Sequence, residues 1–270
     1  MKCFYHGADM DGKCSGAIVK KMYGDECEYI PYFYDEFPFN TIKQNEWVIL
    51  VDCSCDFNEL LKITNNICWL DHHITAIEKY EYLRLDGIRR DGTAACELCW
   101  EYYYPDIKTP KVIKLLGDYD VWKFAYGDDT NKLQTGIRLQ DTRVESDMWS
   151  IWFGDNGTYD MGNELMKGAV ALQYRNDYYR SLVKSLAFFV KFEGYIAVCC
   201  NAGCVSSQLF DSIEEEYDIM IPFSYDGKTR EWKISLYTKN DDINVGEIAT
   251  EYGGGGHKKA AGFKCKELPW

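Results

Sequence analysis

Apolar positions in the first seventy residues come in short runs, several of them closed by a polar group. Cys3-Phe4-Tyr5 ends at His6, Trp47-Val48-Ile49-Leu50-Val51 ends at Asp52, and Ile67-Cys68-Trp69-Leu70 ends at Asp71-His72-His73. With the aromatic stretch 27–34, these runs predict strands over residues 2–6, 27–34, 45–52 and 67–71. Between them, residues 12–24 read as a loop entering a helix over 17–22, and Asp56 is placed to cap a helix over 56–61. The alternation of strand and helix predicts an α/β fold whose N-terminal domain is a mainly parallel, doubly wound sheet.

A helix is expected from Gly92 to about Tyr104, stopped by Pro105. Another opens at Thr109-Pro110, with proline in the first turn where its missing donor is harmless, and ends in Gly117-Asp118-Tyr119-Asp120. Helix-rich sequence follows, with Trp149, Trp152 and Phe153 in the core. From 160 to 190, Leu165, Ala169, Leu172, Tyr179, Val183, Leu186 and Val190 recur at steps of three, four and seven, the pattern of one face of a long helix. Strands over 195–200, 218–223 and 231–237, with helices over 206–217 and 245–252, predict a smaller mixed α/β C-terminal domain. The expected division is a metal-binding catalytic domain over 1–158, a linker helix over 159–192 and a substrate-binding domain over 193–270.

A chain of 270 residues has room for two such cores. Its net charge of −13 argues against a broad basic surface that holds long nucleic acid, and favours a small or short anionic substrate. No apolar run is long enough to cross a bilayer, and the first residues turn polar too soon for a signal peptide, so a cytoplasmic protein without a membrane partner is expected. Its twelve cysteines are then expected to be reduced and mostly buried. Cys96-x-x-Cys99 has a zinc-like spacing, but no second pair answers it.

The polar residues that close the strands stand where open parallel sheets place their binding crevice. Asp71-His72-His73 and Gly253-Gly254-Gly255-Gly256-His257-Lys258-Lys259-Ala260-Ala261-Gly262-Phe263 together resemble the DHH phosphoesterase superfamily and the glycine-rich motif of its DHH-associated C-terminal domain. The resemblance implies two divalent metal ions. His6, Asp9 and Asp52 would hold one, and Asp11, Asp52, His72 and Asp118 the other, with Asp52 bridging. Asp71 would orient a ligand imidazole, and His73 would meet the substrate phosphate. Oxygen and imidazole ligands without thiolate suit Mn²⁺, or Mg²⁺, and a pair of such ions predicts hydrolysis of a phosphate ester. One departure from the commoner spacing stands out: Asp9 and Asp11 follow His6 by three and five residues instead of four and six. Asp120 reads as a capping or pairing group.

Gly254, Gly255 and Gly256 can bring backbone N–H groups close to an anion, with His257 and Lys258 beside them. Arg90 is a further candidate for the substrate. Tyr237 stands where nucleotide-cutting relatives carry an arginine; a phenol can donate one hydrogen bond or stack, but cannot clamp a phosphate with two. The glycine run is expected to face the first domain across a cleft. The leading reading is a two-metal phosphoesterase for short nucleotides: an oligonucleotide, a cyclic dinucleotide or a nucleoside bisphosphate. A polyphosphate or pyrophosphate hydrolase and a non-catalytic nucleotide sensor are the alternatives.

Overall fold

The computed structural model describes residues 1–34, 36–154, 157 and 159–270. It divides into two compact units, Met1–Leu172 and Gln173–Trp270. The expected boundary at Thr158 lies outside the described residues.

In the first unit, strands β1 (Lys2–His6), β2 (Glu28–Tyr32), β3 (Val48–Val51) and β4 (Ile67–Leu70) form a parallel sheet in the order β2-β1-β3-β4. The central strands are apolar at nearly every position because both faces are covered, as parallel sheets require. Cys3, Tyr5, Ile49, Val51, Cys68 and Leu70 share a core with Ala17 and Ile18 of helix α1 (Met10–Tyr23), Trp100 of α4 (Ala95–Tyr103) and Ile113 and Leu116 of α5 (Lys111–Asp120). Their alternates Phe4, Val48, Leu50, Ile67 and Trp69 pack with Phe57 and Leu60 of α2 (Phe57–Leu60) and Ala76 of α3 (Ile74–Lys79). Helices α6 (Asp128–Gly136) and α7 (Asp147–Phe153) complete the helical region. The chain winds from β1 outward to β2, then returns to the other side for β3 and β4. The carboxyl ends of β1 and β3 therefore flank the switch point where a doubly wound sheet opens a crevice.

Helix α1 starts at Met10, earlier than expected, because Asp9 caps it: Oδ1 accepts the Gly12 N–H at 2.9 Å. Gly12 also lets the helix approach β1 closely, since a Cβ there would lie 2.1 Å from the His6 carbonyl oxygen.

Helix α8 spans Gly162–Leu186, and the boundary between units falls inside it. It stops short of Val190 because Ala187-Phe188-Phe189-Val190-Lys191-Phe192 pairs as a strand, β5, with β6 (Tyr195–Asn201). The second unit is a six-stranded mixed sheet in the order β5-β6-β7-β8-β10-β9, with β7 at Ile219–Asp226, β8 at Glu231–Tyr237, β9 at Gly255–His257 and β10 at Ala260–Cys265. Helix α9 (Val245–Glu251) contributes Val245 and Ala249 to its core. The helix expected over 206–217 is only a 3₁₀ turn at Ser207–Phe210. Leu209 and Phe210 are buried there, but the run Glu214-Glu215-Glu216 offers no apolar face for further turns. The glycine run also differs from an open loop, since Gly255–His257 form a hairpin with β10.

Candidate metal centre

The carboxyl ends of β1, β3 and β4 bring His6, Asp52 and His72-His73 together, and the first turn of α1 adds Asp9 and Asp11. Three ligand groups result: His6–Asp9–Asp52, Asp11–His72–Asp120 and Asp52–His72–His73. Asp52 joins them. It is 1% exposed, and neither carboxylate oxygen accepts a hydrogen bond among the described residues. Its Oδ1 lies 3.3 Å from His72 Nε2 and 3.9 Å from His73 Nδ1, while Oδ2 lies 3.4 Å from His6 Nδ1. Its backbone is left-handed at φ 56°, a conformation that aspartate tolerates better than most residues.

Neighbouring groups hold these side chains in place. His6 Nδ1 lies 2.6 Å from Asp9 Oδ2, so the shortened spacing still brings Asp9 to His6, with Asp9 doubling as the cap of α1. Asp11 accepts the Ala95 and Cys96 N–H groups at 2.8 and 2.7 Å, which plants it on the N-terminus of α4. Its Oδ2 stands 3.8 Å from His72 Nε2. Asp71 is fully buried; one of its oxygens accepts from the Trp69 indole at 3.1 Å, and the other accepts the His72 N–H at 2.8 Å. That second oxygen also meets His73 Nδ1 at 2.7 Å, so the imidazole that Asp71 orients is His73.

The structure brings Asp120, not Asp118, to His72. Asp118 is buried, but its carboxylate accepts the Ala125 and Tyr126 N–H groups at 2.8 and 3.3 Å and the Thr130 hydroxyl, and so braces the turn from α5 into α6. Asp120 Oδ2 lies 3.4 Å from His72 Nε2. A signal for this was present: Asp120 follows Leu116 by four residues and Ile113 by seven, on the helix stripe that faces the sheet core.

Crowded carboxylates perturb one another. Burial pushes Asp52 well above the ordinary aspartate value, with the charge of Asp11 adding to it. Burial likewise raises Asp11, where His72 opposes, and Asp120, where Asp11 and Asp52 add. Burial disfavours charge on His6, but Asp52 and Asp9 outweigh it and raise the imidazole to about 10. Asp9 is lowered because His6 outweighs its burial, and His73 is raised because Asp71 does the same. A buried carboxylate without donors, ringed by imidazole nitrogens and further acids, is stable when cations share it. The donor set therefore fits divalent ions, with hard oxygens and imidazoles in the pattern that suits Mn²⁺ or Mg²⁺. Cys96 and Cys99 take no part: both are buried in α4, and burial pushes both thiols up.

Comparison with known proteins bears on both units. Residues 203–269 match the DHHA1 domain. That match falls within the second unit. The whole chain shares its fold with the pGpG-specific phosphodiesterase PggH from Vibrio cholerae, at a TM-score of 0.58 and 12% identity, covering 98% of this chain and 92% of that one. The DHH domain of a member of the s1p family of ribosomal proteins is similar at a TM-score of 0.60 and 13% identity, covering 98% of this chain and 82% of that one. In sequence, an uncharacterized protein of Acanthamoeba polyphaga mimivirus is 26% identical across 96% of this chain. The chain spans 66% of the length of that relative. The fold is thus the one that the DHH motif and the glycine run imply.

Within the matched residues, Gly254 packs so closely on β10 that a Cβ would lie 2.1 Å from the Gly262 carbonyl oxygen. Gly255, Gly256 and His257 pair with Gly262, Ala261 and Ala260, and His257 and Lys258, which opens the turn, are exposed. The hairpin thus engages part of the backbone that an open nest would offer to an anion. Tyr237 ends β8, opposite Met220 and Ala260, and is half-buried against the core around Val198 and Phe210. In the first unit, the Arg90 guanidinium pairs with Glu101, while Arg89 is committed to carbonyl oxygens of Trp69, Leu85 and Asp86.

Proposed function

We propose that the protein is a metal-dependent phosphoesterase that hydrolyses phosphate esters of short nucleotides. The observation that carries this reading is Asp52, whose two buried, undonated oxygens face His6 on one side and His72 on the other. His6, Asp9 and Asp52 would hold one divalent ion, and Asp11, Asp52, His72 and Asp120 a second. Bound there, such a pair supplies an activated water and stabilises the charge that develops on phosphoryl oxygens. The surrounding residues prepare the site for an anion. Asp71 holds His73 by Nδ1 and raises its pKa, which favours the charged ring that would donate from Nε2 to a phosphoryl oxygen. Asp118 keeps the turn behind Asp120 in place.

A short nucleotide suits the chain better than a long strand. The net charge of −13 opposes a long polyanion. Among proteins of this fold, PggH is described as specific for pGpG, a dinucleotide. In the DHHA1 domain, exposed His257 and Lys258 are the groups available to capture the substrate, with Tyr237 as a donor or a stacking surface. An exopolyphosphatase-related protein from Bacteroides fragilis also shares the fold, at a TM-score of 0.50 and 13% identity over 100% of this chain and 86% of that one, which makes polyphosphate the second substrate to test.

The test is a matched panel with added Mn²⁺: the dinucleotide pApA, a cyclic dinucleotide, adenosine 3′,5′-bisphosphate, a long oligonucleotide and polyphosphate, with products separated by chromatography. Fastest turnover of a member with about two to five nucleotides is expected, because phosphates beyond the site add little binding. Faster turnover of the long strand or of polyphosphate would overturn the substrate assignment, and binding without turnover of any member would make the protein a sensor.

A further inference from the structure

Tyr34 has no place in the ligand set, yet it stands against it. It follows β2 on the chain leaving the sheet, and the Gly7 N–H donates to the Tyr32 carbonyl at 2.9 Å, which ties this chain to the end of β1 beside His6. The Tyr34 ring meets His6 edge-on, with centroids 5.5 Å apart, and packs on Tyr32 at 5.2 Å. Burial and the nearby charges of Cys53, Asp71 and Asp52 all act on its phenol. The residue is nonetheless 49% exposed, and among the described residues its hydroxyl has no hydrogen-bond partner.

The backbone makes this placement costly. Tyr34 adopts φ 59°, the left-handed region that disfavours an aromatic side chain. Strain of this kind persists only where the surroundings hold it. A half-exposed ring recovers less of that cost by burial than a core ring would. An unpartnered O–H at the mouth of an anion site is instead a ready donor.

We propose that Tyr34 contacts the substrate: its hydroxyl donates a hydrogen bond to a phosphoryl oxygen on the His6 side of the centre, opposite the charge supplied through His73. The assignment rests on the phosphoesterase reading for the identity of the ligand, and on the geometry above for the residue.

The experiment uses the full chain loaded with Mn²⁺ and compares wild type with Tyr34→Phe and Tyr34→Gly. Tyr34→Phe keeps the ring and removes the donor; Tyr34→Gly accepts the left-handed backbone without strain and removes the ring. AMP binding is measured by calorimetry, pApA hydrolysis by chromatography, and Mn²⁺ content by elemental analysis. Tyr34→Phe should bind AMP about tenfold more weakly, as loss of a hydrogen bond to a charged partner implies, and raise KM for pApA with kcat within about twofold. Tyr34→Gly should lose affinity at least as much, and both variants should keep wild-type Mn²⁺ content. Unchanged AMP affinity and KM in Tyr34→Phe would overturn the proposal, as would loss of Mn²⁺ from that variant, which would make Tyr34 a support for His6. If wild type binds AMP but does not cleave pApA, the phosphoesterase reading fails, while the AMP affinities of the variants still decide the role of Tyr34. Failure of wild type to bind AMP would overturn both.

Discussion

Asp71 holds the imidazole of His73 at 2.7 Å through the same oxygen that accepts the His72 N–H. One buried carboxylate therefore sets both the backbone of the paired histidines and the orientation of the second ring. Asp71→Asn keeps the shape but weakens the acceptor that orients and charges His73. Activity should fall about 10–100-fold, the usual cost of losing a group that orients a functional histidine, while Mn²⁺ content stays at the wild-type level. Steady-state kinetics beside elemental analysis checks this, and loss of metal without loss of turnover per bound ion would place Asp71 in the ligand set instead.

Asp118 and Asp120 should separate cleanly. Asp118→Ala removes the acceptor for two backbone N–H groups and the Thr130 hydroxyl, and should destabilise the fold by about 2–4 kcal/mol while the folded fraction still binds metal. Asp120→Asn should melt near wild type but bind Mn²⁺ more weakly by at least tenfold. Calorimetric titrations and thermal melts of the two variants decide the matter; the reverse pattern would return Asp118 to the ligand set.

This pair also shows where sequence reasoning stops. Strand ends were legible because an apolar run closed by an acid or a histidine has one plausible placement on a parallel sheet, so His6, Asp52 and His72 could be assigned from pattern and resemblance together. Asp118 and Asp120 both end α5, and choosing between them needs the rotation of that helix, which the spacing from Ile113 and Leu116 only hints at. The strand at Ala187–Phe192 was hidden because Leu186 and Val190 also satisfy a helical period, and only pairing with β6 breaks the tie. Tyr34 gave no signal at all, since a left-handed backbone at a tyrosine is dictated by tertiary contacts.

Metal binding should compete with protons. In the metal-free protein, Asp52, Asp11 and Asp120 have raised pKa values, and the stability tied to their protonation is fully present below the ordinary aspartate value of 3.8 and lost as pH rises through the raised values. His6 acts in the same sense: its contribution is full below 6.5 and lost as pH rises through about 10. Asp9, lowered, acts oppositely, but its contribution is already present above its ordinary value and does not change at neutral pH. Added Mn²⁺ should therefore raise Tm more at about pH 8 than at about pH 5.5, and chelation should cost most at the higher pH. A Tm gain that is equal at both values would contradict this.

Gly12 should be intolerant of a side chain. Its absent Cβ would fall 2.1 Å from the His6 carbonyl oxygen, so Gly12→Ala must push the first turn of α1, with Asp9 and Asp11, away from β1. The expected result is a loss of about 1–3 kcal/mol of stability together with weaker Mn²⁺ binding, read by thermal melts and calorimetric titration. Wild-type affinity for Mn²⁺ in this variant would show that the ligands do not depend on that close approach.

The most direct test of the metal centre is Mn²⁺-dependent release of AMP from pApA, followed by chromatography for wild type and Asp52→Ala side by side. Wild type should release AMP only with metal added, and Asp52→Ala, which lacks the carboxylate common to both proposed ion sites, should fall at least a thousandfold while remaining folded. Near-normal release by Asp52→Ala, or no release by wild type with Mn²⁺ bound, would contradict the account.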